Sequence, residues 1–405
     1  MIKSKLWTKD FIIISATTFF VALTFYLLMT TMTMYAIERF NASQSQAGLA
    51  SGIFVIGALL SRLLAGKYME IIGRKKMLGG SLGLFLIATL LYFLVDNLSL
   101  LLVVRFIHGA TFGVATTAMP TAIMDIIPVE RRGEGIGYFS LSPTLATAIG
   151  PFLGILIMQY ADFNMLFAIC TGFSVMSSII ILLAQIPEAK ITKKQREAMK
   201  GFTWQDFFEI SAIPISMIML LMGMAYSGIL AFLNSYAIEI NLTTAASFFF
   251  IVYAVFILIS RPFTGRLLDV KGDNIVMYPA LLLFTLSLVL LSQAESGFIL
   301  LLAGALVGLG FGTIMSCAQA IATKEAPQHR IGLATATYFF CSDVGMGTGP
   351  ILVGSIIPIV GFRGTFMTLA VAVFLSIGLY YLVHGKKAIY RNQPAHVRAS
   401  GGGRC

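Results

Sequence analysis

The apolar residues of this chain fall in long, nearly uninterrupted runs instead of amphipathic stripes or strict alternation. A helix needs about 20 consecutive apolar residues to span a bilayer, and twelve runs approach or exceed that length. The runs cover roughly 11–34, 47–67, 77–95, 98–121, 135–158, 164–186, 208–235, 246–268, 275–293, 298–320, 332–355 and 363–384. The pattern therefore predicts an all-α membrane protein with twelve transmembrane helices.

The composition supports this class. Hydrophobic residues make up 58% of the chain and charged residues only 11%. Because soluble domains carry about 25% charged residues, this chain has too few charges to cover a water-exposed surface. The sequence therefore predicts a multi-pass protein in the lipid bilayer.

The basic residues are concentrated in the two tails and in every second predicted connection between helices. All but three of the 28 Lys and Arg residues fall in the tails, the even-numbered connections and the adjoining helix ends. The exceptions are Arg39, Arg105 and Arg363. Since Lys and Arg concentrate on the cytoplasmic side, both termini are predicted to be cytoplasmic. Topology thus accounts for the formal charge of +10, and we expect no nucleic-acid partner.

The chain repeats itself. The tetrapeptide Tyr-Ala-Ile-Glu occurs at 35–38 and again at 236–239, and many other positions recur at an offset of 199. The recurring positions include Arg62 and Arg261, Gly73 and Gly272, Gly109 and Gly308, Gly113 and Gly312, and Pro151 and Pro350. A six-helix unit used twice gives two parallel pseudo-symmetric bundles, a transporter plan that places the substrate between the halves near the membrane midplane.

The repeat defines the predicted domains. They are an N-terminal six-helix bundle at 1–186, a basic cytoplasmic linker at 187–206, a C-terminal six-helix bundle at 207–385 and a cytoplasmic tail at 386–405. The composition of the tail predicts disorder.

Three motifs carry a family resemblance. The loop after helix 2 contains Gly66, Glu70, Gly73 and Arg74; helix 4 carries Arg105 followed by Gly109 and Gly113; helix 5 carries Gly137, Gly150, Pro151 and Gly154. Together they resemble the major facilitator superfamily and, within it, the twelve-helix drug:proton antiporters. The resemblance covers about residues 10–385. Glu70 stands where that family has Asp, and Ile71, Ala146 and Ile155 also depart from its pattern.

The resemblance implies a cytoplasmic latch. Glu70 would face the N-terminus of helix 11, and Arg74 would pair with Asp125 at the inner end of helix 4. The alternative is that the basic residues here only obey the positive-inside rule. In helix 5, the glycines and Pro151 would allow close packing and bending at the interface between the halves, as a hinge or as ordinary small-residue packing.

Three ionisable residues lie inside predicted helices, where burying a charge costs about 3 kcal/mol or more. They are Arg105 and His108 in helix 4 and Asp343 in helix 11. A carboxylate in a low dielectric can load and release protons, so Asp343 is the candidate proton carrier. A satisfied structural acid is the alternative for Asp343, and a structural histidine is the alternative for His108.

In the family, helices 1, 4, 7 and 10 line the cavity. On those helices the polar candidates are Tyr26, Thr30, Tyr226, Asn234, Ser316 and Gln319. A large and sparsely polar lining suits amphipathic or lipophilic cargo. The sequence has no phosphate-binding Gly-x-x-x-x-Gly-Lys loop and no metal-type cysteine spacing, so we expect no cofactor, no metal and no catalytic residues.

These observations predict a monomeric, proton-coupled exporter of small molecules in a bacterial-type plasma membrane, working by alternating access. A proton-coupled symporter for a metabolite or nutrient is an alternative. A lipid-handling or sensor protein on the same fold is an alternative of another class.

Overall fold

A computed structural model describes residues 5–128, 131–186, 188, 208–327 and 331–391, and the regular elements in those ranges are all helical. The helices are α1 (Lys9–Phe40), α2 (Gln44–Ile72), α3 (Arg74–Leu91), α4 (Leu98–Ile126), α5 (Arg132–Tyr160), α6 (Phe163–Leu182), α7 (Ile213–Glu239), α8 (Thr243–Lys271), α9 (Asp273–Ser292), α10 (Gly297–Glu325), α11 (331–360), α12 (362–380) and α13 (Lys386–Arg391). Short turns of tighter helix cover Tyr92–Leu94 and Ile210–Ala212, and a wider π turn covers Tyr381–Gly385.

Gly361 separates the last two membrane spans. Eleven stretches of the described chain are long and apolar enough to cross a membrane, and the last of them, Leu333–Ala388, has 56 residues. A helix of that length would measure about 84 Å, far more than one bilayer. Gly361 interrupts it with φ 71°, a conformation that favours glycine. The stretch is therefore two spans, α11 and α12, and the prediction of an all-helical membrane protein is confirmed.

The sequence repeat reappears in the backbone. Gly73 has φ 100° before α3, and Gly272, at the offset of 199, has φ 87° before α9. The described non-glycine residues with positive φ are Asn41 and Asn241, which follow the two helices that contain Tyr-Ala-Ile-Glu. Asn tolerates this left-handed conformation at helix ends. Equivalent helices in the two halves thus end with the same local geometry.

Close helix packing also repeats. A Cβ atom on Gly109 of α4 would lie 1.8 Å from the carbonyl oxygen of Phe54 in α2. A Cβ atom on Gly308 of α10 would lie 2.4 Å from the carbonyl oxygen of Tyr253 in α8, the equivalent position. Only glycine permits such an approach between helix backbones. The recurring glycines therefore fix one helix contact twice.

The chain forms two compact units. The first contains α1 to α6 together with residues 227–251 of α7 and α8 and residues 346–359 of α11. The second contains the remaining parts of α7, α8 and α11 together with α9, α10 and α12. In the first unit, buried apolar side chains of α1, α2, α4 and α6 form one continuous cluster around Met32, Tyr35 and Tyr92.

Candidate substrate and proton site

Arg105 is completely buried in α4 and is held by polar atoms from α2 and the turn after α3. Its side chain is 0% exposed. The Nε atom donates to the carbonyl oxygen of Ala50 at 2.9 Å, and Nη2 donates to the carbonyl oxygen of Ser51 at 3.2 Å. The guanidinium also lies 4.6 Å from the centre of the Phe54 ring, within range of a cation–π interaction. The described residues offer it no carboxylate partner, so Arg105 is a buried, unneutralised cation.

His108 is joined to Arg105 through Tyr92. The Arg105 Nη1 atom donates to the Tyr92 hydroxyl at 3.4 Å, and that hydroxyl lies 3.0 Å from Nδ1 of His108. Because the guanidinium can only donate, the Tyr92 proton is left for Nδ1, which assigns the hydrogen of the neutral imidazole to Nε2. That Nε2 atom is buried without a hydrogen-bond partner. The result is a directed chain of donors from Arg105 through Tyr92 to His108.

Asp343 lies in α11 and is half-buried. Two residues further on, a Cβ atom on Gly345 would lie 2.1 Å from the carbonyl oxygen of Leu220 in α7. The acid therefore occupies a helix that touches α7 almost backbone to backbone at that level. Arg105 and Asp343 belong to different compact units.

Two of the predicted latch residues, Gly73 and Arg74, lie at the start of α3. The Arg74 guanidinium contacts the Asp125 carboxylate at the end of α4, with the Arg74 side chain 9% exposed and the Asp125 side chain 47% exposed. Gly73 precedes α3 with its positive φ. Gly66 and Glu70 lie within α2, but their surroundings fall outside what the structure describes.

Glu188 also lies at this place, and no motif in the sequence pointed to it. Its carboxylate accepts hydrogen bonds from the backbone N–H groups of Arg74 at 2.8 Å and Lys75 at 3.0 Å. No side chain from the neighbouring residues caps α3. The first N–H groups of a helix lack partners within the helix and favour an anion. Glu188 therefore caps α3 from the segment that follows α6.

We expect Glu188→Ala to destabilise the protein by about 1 kcal/mol, the usual cost of losing a helix cap. The thermal midpoint of the detergent-solubilised protein should fall accordingly. Glu295→Ala is the control, because Glu295 makes an exposed ion pair with Arg363 at 3.5 Å, a kind of pair that contributes about 0–1 kcal/mol. A midpoint of Glu188→Ala equal to that of the unsubstituted protein would contradict the capping role.

The helix 5 motif packs within the N-terminal bundle. A Cβ atom on Gly150 would lie 2.6 Å from Cβ of Tyr26, and one on Gly154 would lie 3.1 Å from the carbonyl oxygen of Leu27. Both glycines therefore pack closely against α1. Pro151 lies in the same helix and is buried, and the surroundings of Gly137 fall outside the described part.

The six predicted cavity residues differ in what they contact. The Thr30 hydroxyl is buried and donates to the carbonyl oxygen of Tyr26 at 2.7 Å. Tyr226 is buried and stacks on Phe311 with ring centres 4.1 Å apart. The Asn234 amide is buried and lies 3.4 Å from Sδ of Met34.

The three remaining cavity candidates keep part of their surface open. Tyr26, Ser316 and Gln319 are half-buried. The Ser316 hydroxyl donates within α10 to Gly312 and Thr313. Tyr26, Ser316 and Gln319 thus keep some accessible surface, whereas Thr30, Tyr226 and Asn234 are buried.

Within the first unit, α2 meets residues 346–359 of α11 along glycines. Cβ atoms on Gly48 and Gly52 would lie 2.0 and 2.1 Å from the carbonyl oxygens of Pro350 and Gly347. At one end of this contact the hydroxyls of Ser45 and Ser355 are 3.1 Å apart. Small residues thus bring these two helices into backbone contact.

Three further hydrogen bonds join the same part of the first unit. The Thr33 hydroxyl of α1 donates to the carbonyl oxygen of Ala231 in α7 at 2.6 Å. The Gln159 amide of α5 donates to the carbonyl oxygen of Thr243 at 2.9 Å and lies 2.8 Å from the Ser247 hydroxyl. Residues 227–251 are therefore joined to the N-terminal helices by specific polar contacts as well as by packing.

In the described part of the chain, one group of side chains has metal-type ligand atoms close together. Single donor atoms of Asp273, Glu325 and His384 lie within 4.8 Å of one another. The Lys324 ammonium lies 3.3 Å from the Asp273 carboxylate and already supplies a positive charge there. We therefore assign no metal to this group.

The long apolar helices and the internal repeat define a polytopic helical membrane protein. The family model described as Major Facilitator Superfamily matches residues 14–350 and, in a second match, residues 252–401. The chain belongs to this superfamily, and it is a transporter of small molecules and not an enzyme.

Two relatives match this chain over most of their length. The chain is 23% identical to the staphylopine export protein of Staphylococcus aureus, covering 84% of this chain and 88% of that protein. It is 22% identical to the multidrug resistance protein MdtG of Escherichia fergusonii, covering 92% of this chain and 93% of that protein.

A solved structure shows the same fold. A bacterial homologue of the human lysosomal transporter Spinster, in an inward-facing and unoccupied conformation, matches with a TM-score of 0.78 and 13% identity. The match covers 96% of this chain and 99% of that one. At this identity the similarity extends to the fold alone.

Proposed function

We propose that this protein is a proton-coupled exporter of small amphipathic or lipophilic molecules that works by alternating access as a monomer. Both termini face the cytoplasm of a bacterial-type cell membrane in this proposal. The observation that carries it is the buried chain of Arg105, Tyr92 and His108. Keeping an unneutralised cation inside a membrane helix costs about 3 kcal/mol or more, so a functional reason for it is favoured.

Export is favoured by the relatives. One similar protein is a staphylopine exporter and another a multidrug resistance protein. The close contact of Gly150 and Gly154 with α1 is compatible with the antiporter-like motif of α5, although the same contact would serve ordinary packing. A cargo class of amphipathic or lipophilic molecules fits the small number of polar side chains on helices 1, 4, 7 and 10.

Alternating access requires contacts that form in one state and break in another. The glycine-lined contact between α2 and residues 346–359 of α11 suits this role, since its backbones touch without interlocking large side chains. With cytoplasmic termini, this contact would lie on the outer side. Asp343 is the proposed proton carrier because a half-buried carboxylate can exchange protons with water and with the bundle interior.

The test is proton movement in inside-out vesicles with an acidic lumen. Ethidium, other lipophilic cations and a panel of metabolites are added while a dye reports the pH difference. We expect a cargo-dependent loss of the gradient with the unsubstituted protein and none with Asp343→Asn. Asp96→Asn is the matched control, because that exposed acid lies in the connection before α4.

The other outcomes separate the alternatives. A response that survives Asp343→Asn would move the proton site to His108. Uptake of a metabolite driven by an inward proton gradient would support a symporter. A protein that moves no soluble compound but transfers lipid between leaflets would support the lipid-handling alternative.

A further inference from the structure

The contact between Arg74 and Asp125 has a counterpart in the second half with its charges reversed. At the offset of 199, Arg74 corresponds to Asp273 and Asp125 corresponds to Lys324. The Lys324 ammonium lies 3.3 Å from the Asp273 carboxylate. Each pair joins the first residue of one helix, α3 or α9, to the last turn of the next, α4 or α10. The repeat has therefore preserved the ion pair while exchanging its two charges.

A third residue contacts each pair. It comes from the segment after α6 in the first half and from the segment after α12 in the second half. In the first half this residue is Glu188, which binds the backbone of Arg74 and Lys75. In the second half it is His384, whose Nε2 atom lies 2.9 Å from Oδ2 of Asp273. We call Arg74, Asp125 and Glu188 the Arg74 clamp, and Asp273, Lys324 and His384 the Asp273 clamp.

The helix dipole explains why the third residue differs. A helix N-terminus favours a negative charge. Asp273 supplies that charge itself as the first residue of α9, after Gly272, which offers no side chain for capping. Arg74 at the first position of α3 cannot do so, and Glu188 brings the carboxylate from elsewhere. With Asp273 already negative, the second half needs a hydrogen-bond donor as its third residue, and His384 fills this place.

The Asp273 clamp is the more enclosed of the two. The side chains of Asp273 and His384 are 2% and 7% exposed, whereas Lys324 is 52% exposed. In the Arg74 clamp the carboxylate of Asp125 is 47% exposed. Removing one partner from a buried charge is costly because the other is left uncompensated. Loss of a residue from the Asp273 clamp should therefore have the larger effect.

The segment that carries His384 is held by a second set of contacts. The Tyr380 hydroxyl donates to Oδ1 of Asn274 at 2.9 Å, and Nδ2 of Asn274 donates to the carbonyl oxygen of Gly385 at 2.9 Å. These contacts bracket the π turn Tyr381–Gly385. Such turns cost stability relative to α-helix and are frequent at functional positions. His384 belongs to this turn and contacts Asp273 from it.

We propose that Asp273, Lys324 and His384 act as one clamp that holds the adjacent ends of α9, α10 and α12 in a fixed arrangement and thereby sets the rate of the transport cycle. The second part of this proposal rests on the proposed function, whereas the first part concerns the fold alone. Lys324 and His384 are positioning residues in this role and contact no substrate.

The first test is hydrogen exchange of residues 381–388 in the full-length protein in lipid nanodiscs. In Lys324→Gln and in His384→Gln we expect these amides to exchange about tenfold faster or more, because the local opening becomes easier. Lys271→Gln is the control: it removes the same charge at an exposed position at the end of α8. Exchange in the two clamp variants that matched the control would overturn the proposal.

A triple variant tests the reversal itself. Asp273→Arg, Lys324→Asp and His384→Glu together rebuild the charges of the Arg74 clamp in the second half. We expect the triple variant to exchange more slowly than either single variant at residues 381–388. A triple variant that exchanges as fast as the slower single variant, or faster, would overturn the equivalence of the two clamps.

Transport separates a positioning role from a purely structural one. With ethidium as cargo, we expect Lys324→Gln to lower the maximal rate per molecule about tenfold while KM stays within about twofold, since no substrate contact is lost. An unchanged rate alongside faster exchange would overturn the role in the cycle. If the unsubstituted protein failed to transport ethidium or any other cargo, the proposed function would fail, and hydrogen exchange would still decide whether the clamp exists.

Discussion

Arg105→Met is expected to leave the protein as stable as before, or more stable, while transport falls to background. The guanidinium is completely buried and has no carboxylate partner among the described residues. Replacing buried charges by apolar groups of similar volume is often neutral or stabilising. The carbonyl groups of Ala50 and Ser51 lie within α2, and Tyr92 keeps its hydrogen bond to His108. No buried polar group therefore loses its last partner.

The measurement pairs a thermal midpoint with the vesicle assay on the same preparation. Arg105→Lys is the informative comparison, because it keeps the charge but not the fork of donors that reaches Ala50, Ser51 and Tyr92 together. We expect Arg105→Lys to lose transport and to be less stable than Arg105→Met. A clear drop in the midpoint of Arg105→Met, with transport retained, would show that Arg105 is structural.

The double variant Ser45→Cys with Ser355→Cys is expected to stop transport when oxidised and to recover when reduced. The two hydroxyl oxygens are 3.1 Å apart, so sulfur atoms at these positions can approach bonding distance. A disulfide here would join α2 to α11 covalently. If this contact must open in every cycle, as alternating access requires, the joined protein is held in one state.

The controls for this experiment are the two single cysteine variants and the reduced double variant, all of which should transport normally. The described native cysteines, Cys170, Cys317 and Cys341, are buried, and Cys405 should be replaced by Ser to remove a competing thiol. Confirmed cross-linking with undiminished transport would mean that the α2–α11 contact persists through the cycle. The moving contact would then have to lie elsewhere.

Arg105 and the Ser45–Ser355 contact bear on different parts of the transport cycle. Arg105 tests whether a costly buried charge is kept for function. The cysteine pair tests whether a glycine-lined helix contact is a moving part. Both differ from the Asp273 clamp, whose residues lie at the ends of α9, α10 and α12 and hold one half together.

The family resemblance identified the positions of some candidate site residues. It did not show which neighbours these side chains contact or how deeply they are buried. The motif identified Arg105, and the expected contact between Arg74 at the start of α3 and Asp125 at the end of α4 is present. The roles of these residues in transport remain predictions. Thr30, Tyr226 and Asn234 were expected in a cavity, and the structure buries each of them among neighbouring helices. A polar residue on a cavity-lining helix can face either direction, and one sequence does not show which.

The sequence by itself determined the helices, their number and the repeat. Long apolar runs and turn-forming residues are local signals, and the cost of leaving backbone groups unpaired in lipid makes each run a helix. Gly73 and Gly272 mark the same turn in both halves because their positive φ angles exclude most other residues.

Only the tertiary structure decided which polar groups meet. Glu188 caps a helix 114 residues away from it, and His384 reaches Asp273 across 111 residues. The sequence pattern alone grouped Lys324 with the basic residues that set topology, although the offset of 199 places it opposite Asp273. Such contacts depend on how helices pack and on where a π turn or a positive φ directs the chain. Local composition predicts neither the packing of the helices nor the direction of the chain at such turns.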